Sequence, residues 1–381
     1  MKFLDKIGRE VFYKERTEVN QRNGEGDYIR LKDGDIIYAY SAFVGNSWND
    51  YASAQIRAIF SYDKGETWSE DILVAKGEET TSNFMSVSFL RNNNGDISLY
   101  FIMRHVYEGR NCTQLMVIRS SDEGKTWTEP KIVININEYL VIENARTFRL
   151  KPGRIIIPAS LHRYDKDAYM GSGEGEVMFF ASDDDGYTFR QISKVYSLPF
   201  KDRTRSGLQE PGIIQLDDGK IFCYARTKFG SQFESFSKDD GETWTEFIPS
   251  TVFYAPLSPM LIKHVADKKY SVAVYNPYPG NNAKYSRTPL VAQIVKGEGE
   301  HFWEPIKSTF YLEDDMEKYY SYPSIYDGGD YFLVAYYIAK MYKDKDVGFG
   351  DMKITKVTLK DIEEALNKAY YDYDELIKSW Q

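Results

Sequence analysis

Cysteine is nearly missing from this chain of 381 residues: Cys112 and Cys223 are the only two. They are too few and too far apart to staple a secreted scaffold, and they read as reduced structural thiols. Histidine is almost as scarce. His105, His162, His264 and His301 stand widely separated, with no HxxxH or CxxC spacing, so no metal and no other cofactor is expected. Lysine and arginine form no run, and the 48 basic residues against 57 acidic ones leave a net charge of −9. That balance excludes an electrostatic track for nucleic acid or for an anionic membrane. No apolar stretch reaches the roughly 18 residues that a bilayer requires. The segment from Met1 to Glu10 holds charges where a secretory leader needs an apolar core, so a cytoplasmic location is expected if the chain is complete. Nor does a Pro- or Ser-rich linker divide the chain, although its length alone would admit two domains.

What is present in abundance is tyrosine (31) and phenylalanine (22), as suits aromatics packed between sheets. One phrase also recurs four times: Ser61, Asp63, Gly65, Thr67 and Trp68; Ser120, Asp122, Gly124, Thr126 and Trp127; Ser182, Asp184, Gly186, Thr188 and Phe189; Ser237, Asp239, Gly241, Thr243 and Trp244. Ser and Asp side chains bond nearby backbone N–H groups, Gly accepts a positive φ, and the aromatic anchors the turn on the core, so each phrase reads as a turn. The closing aromatics are spaced by 59, 62 and 55 residues, and Trp303 lies 59 further on in a degraded copy with Glu298 in the place of Asp. That period is one four-stranded unit.

Half a period earlier stand six tight hairpin signals: Asp33-Gly34, Gly95-Asp96, Pro152-Gly153, Asp218-Gly219, Ala266-Asp267-Lys268 and Asp327-Gly328-Gly329. Short β-rich runs follow them at Ile36–Ala39, Ile97–Ile102, Arg154–Ala159, Ile221–Ala225, Tyr270–Tyr275 and Tyr331–Tyr337. The expected fold is all-β: a six-bladed β-propeller of four-stranded antiparallel blades over residues 1–358. Residues 359–381 follow as a C-terminal amphipathic helix, since Leu359, Ile362, Ala365, Leu366 and Ala369 share one helical face. That helix would pack on the propeller or on a partner subunit, the latter making a homo-oligomer.

The repeated phrase is the Asp-box, and its recurrence resembles the sialidase (neuraminidase) superfamily of six-bladed BNR-repeat propellers over nearly the whole chain. The motif marks the fold and says little of activity, so function rests on other residues. The resemblance implies three arginines from different blades that clamp a substrate carboxylate, a geometry that a planar, permanently charged fork of donors suits. Arg226 stands sixteen residues after Glu210, and the pair resembles the family's second clamp arginine and its base. Arg287 occupies the region of the third arginine. Arg22 falls eleven residues before Asp33, where the family carries Arg-Ile-Pro, but here Asn23 and Gly24 follow; Arg30 is the competitor.

The family uses a tyrosine nucleophile, because a neutral phenol avoids repulsion with the substrate's carboxylate, and a glutamate takes the phenolic proton. Tyr322 fits that place and Tyr320 is the alternative. Asp50, roughly two dozen residues past Arg22, matches the general acid, whose aromatic loop would raise its pKa so that it holds a proton. Asn83, Arg104 and Arg146 lie on similar early-blade segments. The resemblance therefore implies an exo-acting retaining glycoside hydrolase for terminal sialic acid or a related acidic sugar on glycoconjugates or oligosaccharides. The alternatives are a propeller glycosidase for a different acidic sugar and a non-catalytic carbohydrate-binding propeller.

Overall fold

Each Asp-box folds as a turn because its side chains satisfy its own backbone. In every copy the serine hydroxyl accepts from the glycine N–H and donates to the aspartate. The aspartate accepts in turn from the threonine N–H and hydroxyl, the latter at 2.6 Å in all four turns. Two successive left-handed residues reverse the chain, as at Asp185 and Gly186 with φ of 63° and 81°. Space also demands glycine there, since a Cβ on Gly186 would lie 2.1 Å from the Tyr100 hydroxyl. The closing aromatic packs inward: Trp244 stacks on Phe179 at 4.1 Å, and Phe189 meets Tyr100 edge-on at 5.9 Å.

The computed structural model describes residues 4–77, 83–166, 172–200, 206–278, 287–297, 308–342, 345–346 and 350–380. The degraded fifth copy that ends at Trp303 lies outside the described residues. The six expected hairpins form, and several strands run past their expected ends, Ile97–Tyr107 and Tyr331–Tyr342 among them. Among the described residues the strands make five hydrogen-bonded sheets. The first has eight strands, in two antiparallel meanders joined only by a parallel bridge between Ala54 and Asn83. The next two span Tyr139–Val141 to Arg190–Gln191 and Gln209–Gln215 to Ile248–Tyr254. The fourth runs from Leu261–Val265 to Thr309–Glu313 and gains Leu4–Lys6 as a parallel edge. The last holds Lys318–Asp327, Tyr331–Tyr342 and Asp351–Thr358, with Arg9–Lys14 antiparallel on its outer strand.

Apolar clusters fill the spaces between successive sheets, and one of them joins the first sheet (Tyr28, Tyr38, Tyr40) to the last (Tyr326, Tyr331, Leu333). The architecture is an all-β propeller whose two chain ends are both knitted into its closing sheets. The helix Leu359–Trp380 follows, started by a reciprocal cap: Thr358 Oγ1 accepts from the Asp361 N–H at 3.1 Å, and Asp361 accepts from the Thr358 N–H at 3.0 Å. Ile362, Leu366 and Ala369 bury against a cluster that includes Val265 and Tyr270. Among the described residues no helix is long and apolar enough to cross a membrane.

The innermost strand of most units carries a break in register with one non-glycine residue in the left-handed region. Glu25 (φ 50°), Ser86 (57°), Glu210 (47°) and Tyr322 (55°) each sit at such a slip, and Ala145 (56°) stands at the corresponding place in the sheet between. Hydrogen bonds tie these segments to one another. Asn144 Nδ2 donates to Gly26 O at 2.9 Å, and the Arg146 N–H donates to Ser88 Oγ at 2.9 Å.

The two kinds of turn glycine differ in what surrounds them. Gly219 (φ 86°) has open space where a Cβ would go, so Gly219→Ala should cost only the backbone strain, about 1–2 kcal/mol. Gly186→Ala adds a clash with Tyr100 and should cost about 2–4 kcal/mol. Denaturant unfolding of the two variants checks the order.

Candidate active site

The register slips aim side chains into one cavity of about 350 Å³ at one end of the inner strands. It is lined by Glu25, Ser86, Glu210 and Tyr322 from the slips, together with Asp50, Arg104, Tyr139, Glu143, His162, Gln209 and Arg226. Tyr322 is the residue on which the sequence-derived candidates converge. Arg226 attracts its phenol electrostatically, the Arg287 guanidinium lies 5.4 Å from the centre of its ring, and Tyr337, the partner of Arg22, meets that ring edge-on at 5.7 Å. Burial pushes the phenol of Tyr322 well above its ordinary pKa and the Glu210 carboxylate adds to this, against the pull of Arg226 and Arg287. Tyr320, the alternative, is buried elsewhere, against Tyr336, and does not line the cavity.

Glu210 and Arg226 form an ion pair at 2.9 Å, with side chains only 7% and 11% exposed. Gln209 Oε1 accepts from both Nε and Nη2 of Arg226, which fixes the plane of the guanidinium. Burial alone would lower the Arg226 pKa; Glu210 and Tyr322 outweigh it and hold the group charged. The second oxygen of Glu210, Oε2, is buried without a hydrogen-bond partner among the described residues.

Arg22 is the most enclosed of the three arginines. It donates to the Tyr337 hydroxyl at 3.0 Å and pairs with both Glu25 and Asp50, and its guanidinium lies 4.5 Å from the centre of the Phe43 ring. Arg287 donates to Ser321 Oγ at 2.9 Å. Of the expected clamp arginines Arg226 lines the cavity, whereas Arg22 and Arg287 stand behind its lining residues, and Arg30 does not line it either. Arg104 does line it; it lies against the rings of Tyr51 and Tyr139, and its Nε and Nη1 have no hydrogen-bond partner among the described residues. Asn83 holds the Asp50 loop by donating to the carbonyls of Asp50 and Ala52. Arg146 lines a different cavity, of about 250 Å³, further along the same inner strands.

One expectation is overturned. The aromatic loop was expected to raise the pKa of Asp50, yet its carboxyl is held at about 2. Burial does push it up, but Arg22 and then Arg104 outweigh that push and keep the group ionised. The side chain remains 54% exposed at the cavity mouth, so solvent screens part of this pull.

Sequence reasoning missed Glu25, Glu143, Tyr139 and His162. The ring of His162 donates from Nδ1 to Gly173 O at 2.9 Å, and burial lowers its pKa, which leaves it neutral. A spacing signal could have found Glu25: Glu210 stands nine residues before the turn glycine Gly219, and the same count back from Gly34 and Gly95 gives Glu25 and Ser86. Among the described residues no three His, Cys, Asp or Glu side chains group as ligands for a metal.

A propeller whose inner strands deliver arginines, carboxylates and a buried tyrosine to one axial cavity defines the class. The match to known proteins is specific: the model of the BNR repeat-like domain matches residues 39–334, and the chain belongs to that family, within the sialidase superfamily of propellers. Human sialidase-4 is 28% identical over 179 residues, which is 41% of this chain and 35% of that protein. The anhydrosialidase of Macrobdella decora is 24% identical over 199 residues, 48% of this chain and 24% of that protein. The chain thus spans about a third or less of the length of these curated relatives. Among solved structures, a Dyadobacter fermentans protein superposes with a TM-score of 0.69 at 18% identity, covering 92% of this chain and 99% of its own. The intramolecular trans-sialidase of Ruminococcus gnavus gives 0.67 at 15%, over 92% and 97% of the two chains. The NanB sialidase of Streptococcus pneumoniae gives 0.66 at 14%, over 93% and 71%.

The Arg22–Glu25 pair is buried on both sides, with side chains 3% and 2% exposed. Arg22→Met should therefore cost about 3 kcal/mol or more, because Glu25 is left without its cation. Adding Glu25→Gln should recover at least about 1 kcal/mol of that loss. A double-mutant cycle by denaturant unfolding checks the coupling.

Proposed function

We propose that the protein is an exo-acting retaining glycoside hydrolase of the sialidase type, acting on terminal sialic acid or a related acidic sugar of a glycoconjugate or oligosaccharide. The reading takes residues 1–358 as the propeller and the C-terminal helix as its appendage. It takes the propeller as six-bladed, which requires the eight-stranded sheet to be divided at the Ala54–Asn83 bridge into two blades. The observation that carries it is the gathering of Arg226, Arg287 and Glu210 about one buried tyrosine, with Asp50 lining the same cavity and Arg22 held behind it by Asp50 and Glu25.

In this mechanism Arg22, Arg226 and Arg287 hold the substrate carboxylate, and Tyr322 attacks the anomeric carbon. Glu210 accepts the phenolic proton as the C–O bond forms, which overcomes the raised pKa of the phenol. Asp50 protonates the departing oxygen and later deprotonates the water that cleaves the tyrosyl intermediate. Free Asp50 is ionised because Arg22 holds it. A substrate carboxylate arriving at Arg22 competes for that guanidinium, loosens the pair and lets Asp50 take up the proton that it must give. The basic limb of kcat should therefore lie at higher pH than that of kcat/KM, since the first reports the substrate complex and the second the free enzyme. Coincident limbs would remove the exchange.

A different acidic sugar is the second reading, favoured because Glu25 and Asp50 already occupy Arg22. Release of a fluorescent aglycone from an aryl α-sialoside tests the first reading. Turnover is expected, with a loss of at least about a thousandfold in Tyr322→Phe, which cannot form the covalent bond. Turnover of an aryl glycoside of another acidic sugar alone would establish the second reading, and binding of either sugar without turnover would indicate a non-catalytic carbohydrate-binding propeller.

A further inference from the structure

Four carboxylates line the cavity, and three have cations. Glu25 and Asp50 pair with Arg22, and Glu210 pairs with Arg226. The fourth, Glu143, has none: no lysine, arginine or histidine among the described residues lies within ion-pair distance of it. The side chain is 3% exposed, and its one hydrogen bond is to Oε1, from the Asn144 N–H at 2.9 Å. Its neighbour along the chain, Asn144, is bonded across the axis to Gly26 O and Pro323 O, so Glu143 is anchored at the floor of the cavity.

A buried carboxylate without a cation and near two others does not ionise at modest cost. Glu210 and Glu25 both oppose its charge, and Arg146, beyond the floor, offsets only part of that opposition. Burial and these two like charges push its pKa well above the ordinary range; Arg226, at a distance beyond an ion pair, and Tyr322 also act on it, and Asp50, Arg104, Tyr139 and His162 share the cavity with it. Neutral, the group is a donor; ionised, it could only accept. That difference sets which sugar atom can sit above it.

Resting on the glycosidase reading, we propose that Glu143 meets the bound sugar as a neutral carboxylic acid, donating its O–H to an acceptor oxygen such as a ring hydroxyl or an acyl carbonyl. Glu143 is thus a specificity-determining residue of the cavity, distinct in role from Glu210: one holds a proton for recognition, the other takes a proton from Tyr322. An anionic substrate gains twice from the arrangement, because the cavity loses one negative charge and gains one donor.

The test compares the wild type with Glu143→Gln and Glu143→Ala in aryl α-sialoside hydrolysis across about pH 5 to 9. Gln keeps a donor, so its KM should stay within about threefold of the wild type below neutrality, whereas Ala should raise KM about tenfold with kcat much less affected. In the wild type KM should rise as the pH climbs through the pKa of Glu143, and in the Gln variant it should not. Equal KM in Gln and Ala, or a pH dependence that survives in Gln, would overturn the proposal.

A second readout needs no substrate and so separates this proposal from the glycosidase reading. A carboxyl whose folded pKa is raised contributes stability that is full below its unfolded pKa, near about 4, and is lost as the pH rises through the folded value. Glu143→Gln removes that loss, so the unfolding midpoint of the variant relative to the wild type should rise between about pH 5 and about pH 8. A difference that stays flat or falls would show Glu143 ionised in the folded protein and would end the proposal whatever the enzyme's substrate.

Discussion

The structure depends on a local constraint at the axis, the left-handed residue that interrupts the innermost strand of most units. A regular strand points alternate side chains to opposite faces of its sheet, into the apolar layers on either side. At Glu25, Ser86, Glu210 and Tyr322 the slip in register breaks that alternation. A side chain that would otherwise enter an apolar layer is turned toward the axis, where its neighbours do the same. Three of the four are polar or acidic and would be costly between sheets; the fourth is a phenol. The backbone strain of such residues, of order 1–3 kcal/mol each, is sustained by ladders on both sides that hold the strands in place. It is the means by which a stiff scaffold gathers chemistry at its centre.

Once gathered, these groups must be reconciled as charges. Arg22, Arg104, Arg226 and Arg287 bring four positive charges to the region of the cavity, and three carboxylates oppose them, Glu25 and Asp50 at Arg22 and Glu210 at Arg226. With Glu143 neutral, the region keeps a net positive charge within a chain of net charge −9. On the proposed reading this local balance would favour an acidic sugar over the repulsion of the rest of the surface. The pairs that neutralise the arginines also hold their guanidinium planes in place while the cavity is empty, as Gln209 does for Arg226.

Much of this was legible in the chain, and what was not has physical reasons. The Asp-boxes could be recognised because each satisfies its own hydrogen bonds within eight residues, so the motif carries its whole explanation. The turn glycines were legible for the same reason. Glu210, Arg226 and Tyr322 stood out through a resemblance, and their Glu-Pro and Tyr-Pro contexts are the sequence trace of the slips. Glu143 left no such trace. Burial first, then the charges of Glu210 and Glu25, 67 and 118 residues away in the chain, push its pKa up, and no local pattern records a neighbour that only the fold brings close. The ionised state of Asp50 was hidden similarly, since the surrounding aromatics were visible but the approach of Arg22 was not.

The last sheet takes its outer strand, Arg9–Lys14, from the opposite end of the chain. Arg22, a few residues further on, then reaches across the seam between the first and last sheets to the Tyr337 hydroxyl. The cavity has no private subdomain of its own; it is a property of the closed circle. Sheets formed early in synthesis hold Arg22 and Asp50 without the tyrosines that complete their surroundings, and the seam can be zipped only when residues more than 300 positions apart are both present. A chain interrupted before the closing strands would lack Tyr322 and Tyr337 and have no site, so the seam acts as a completeness check on the polypeptide.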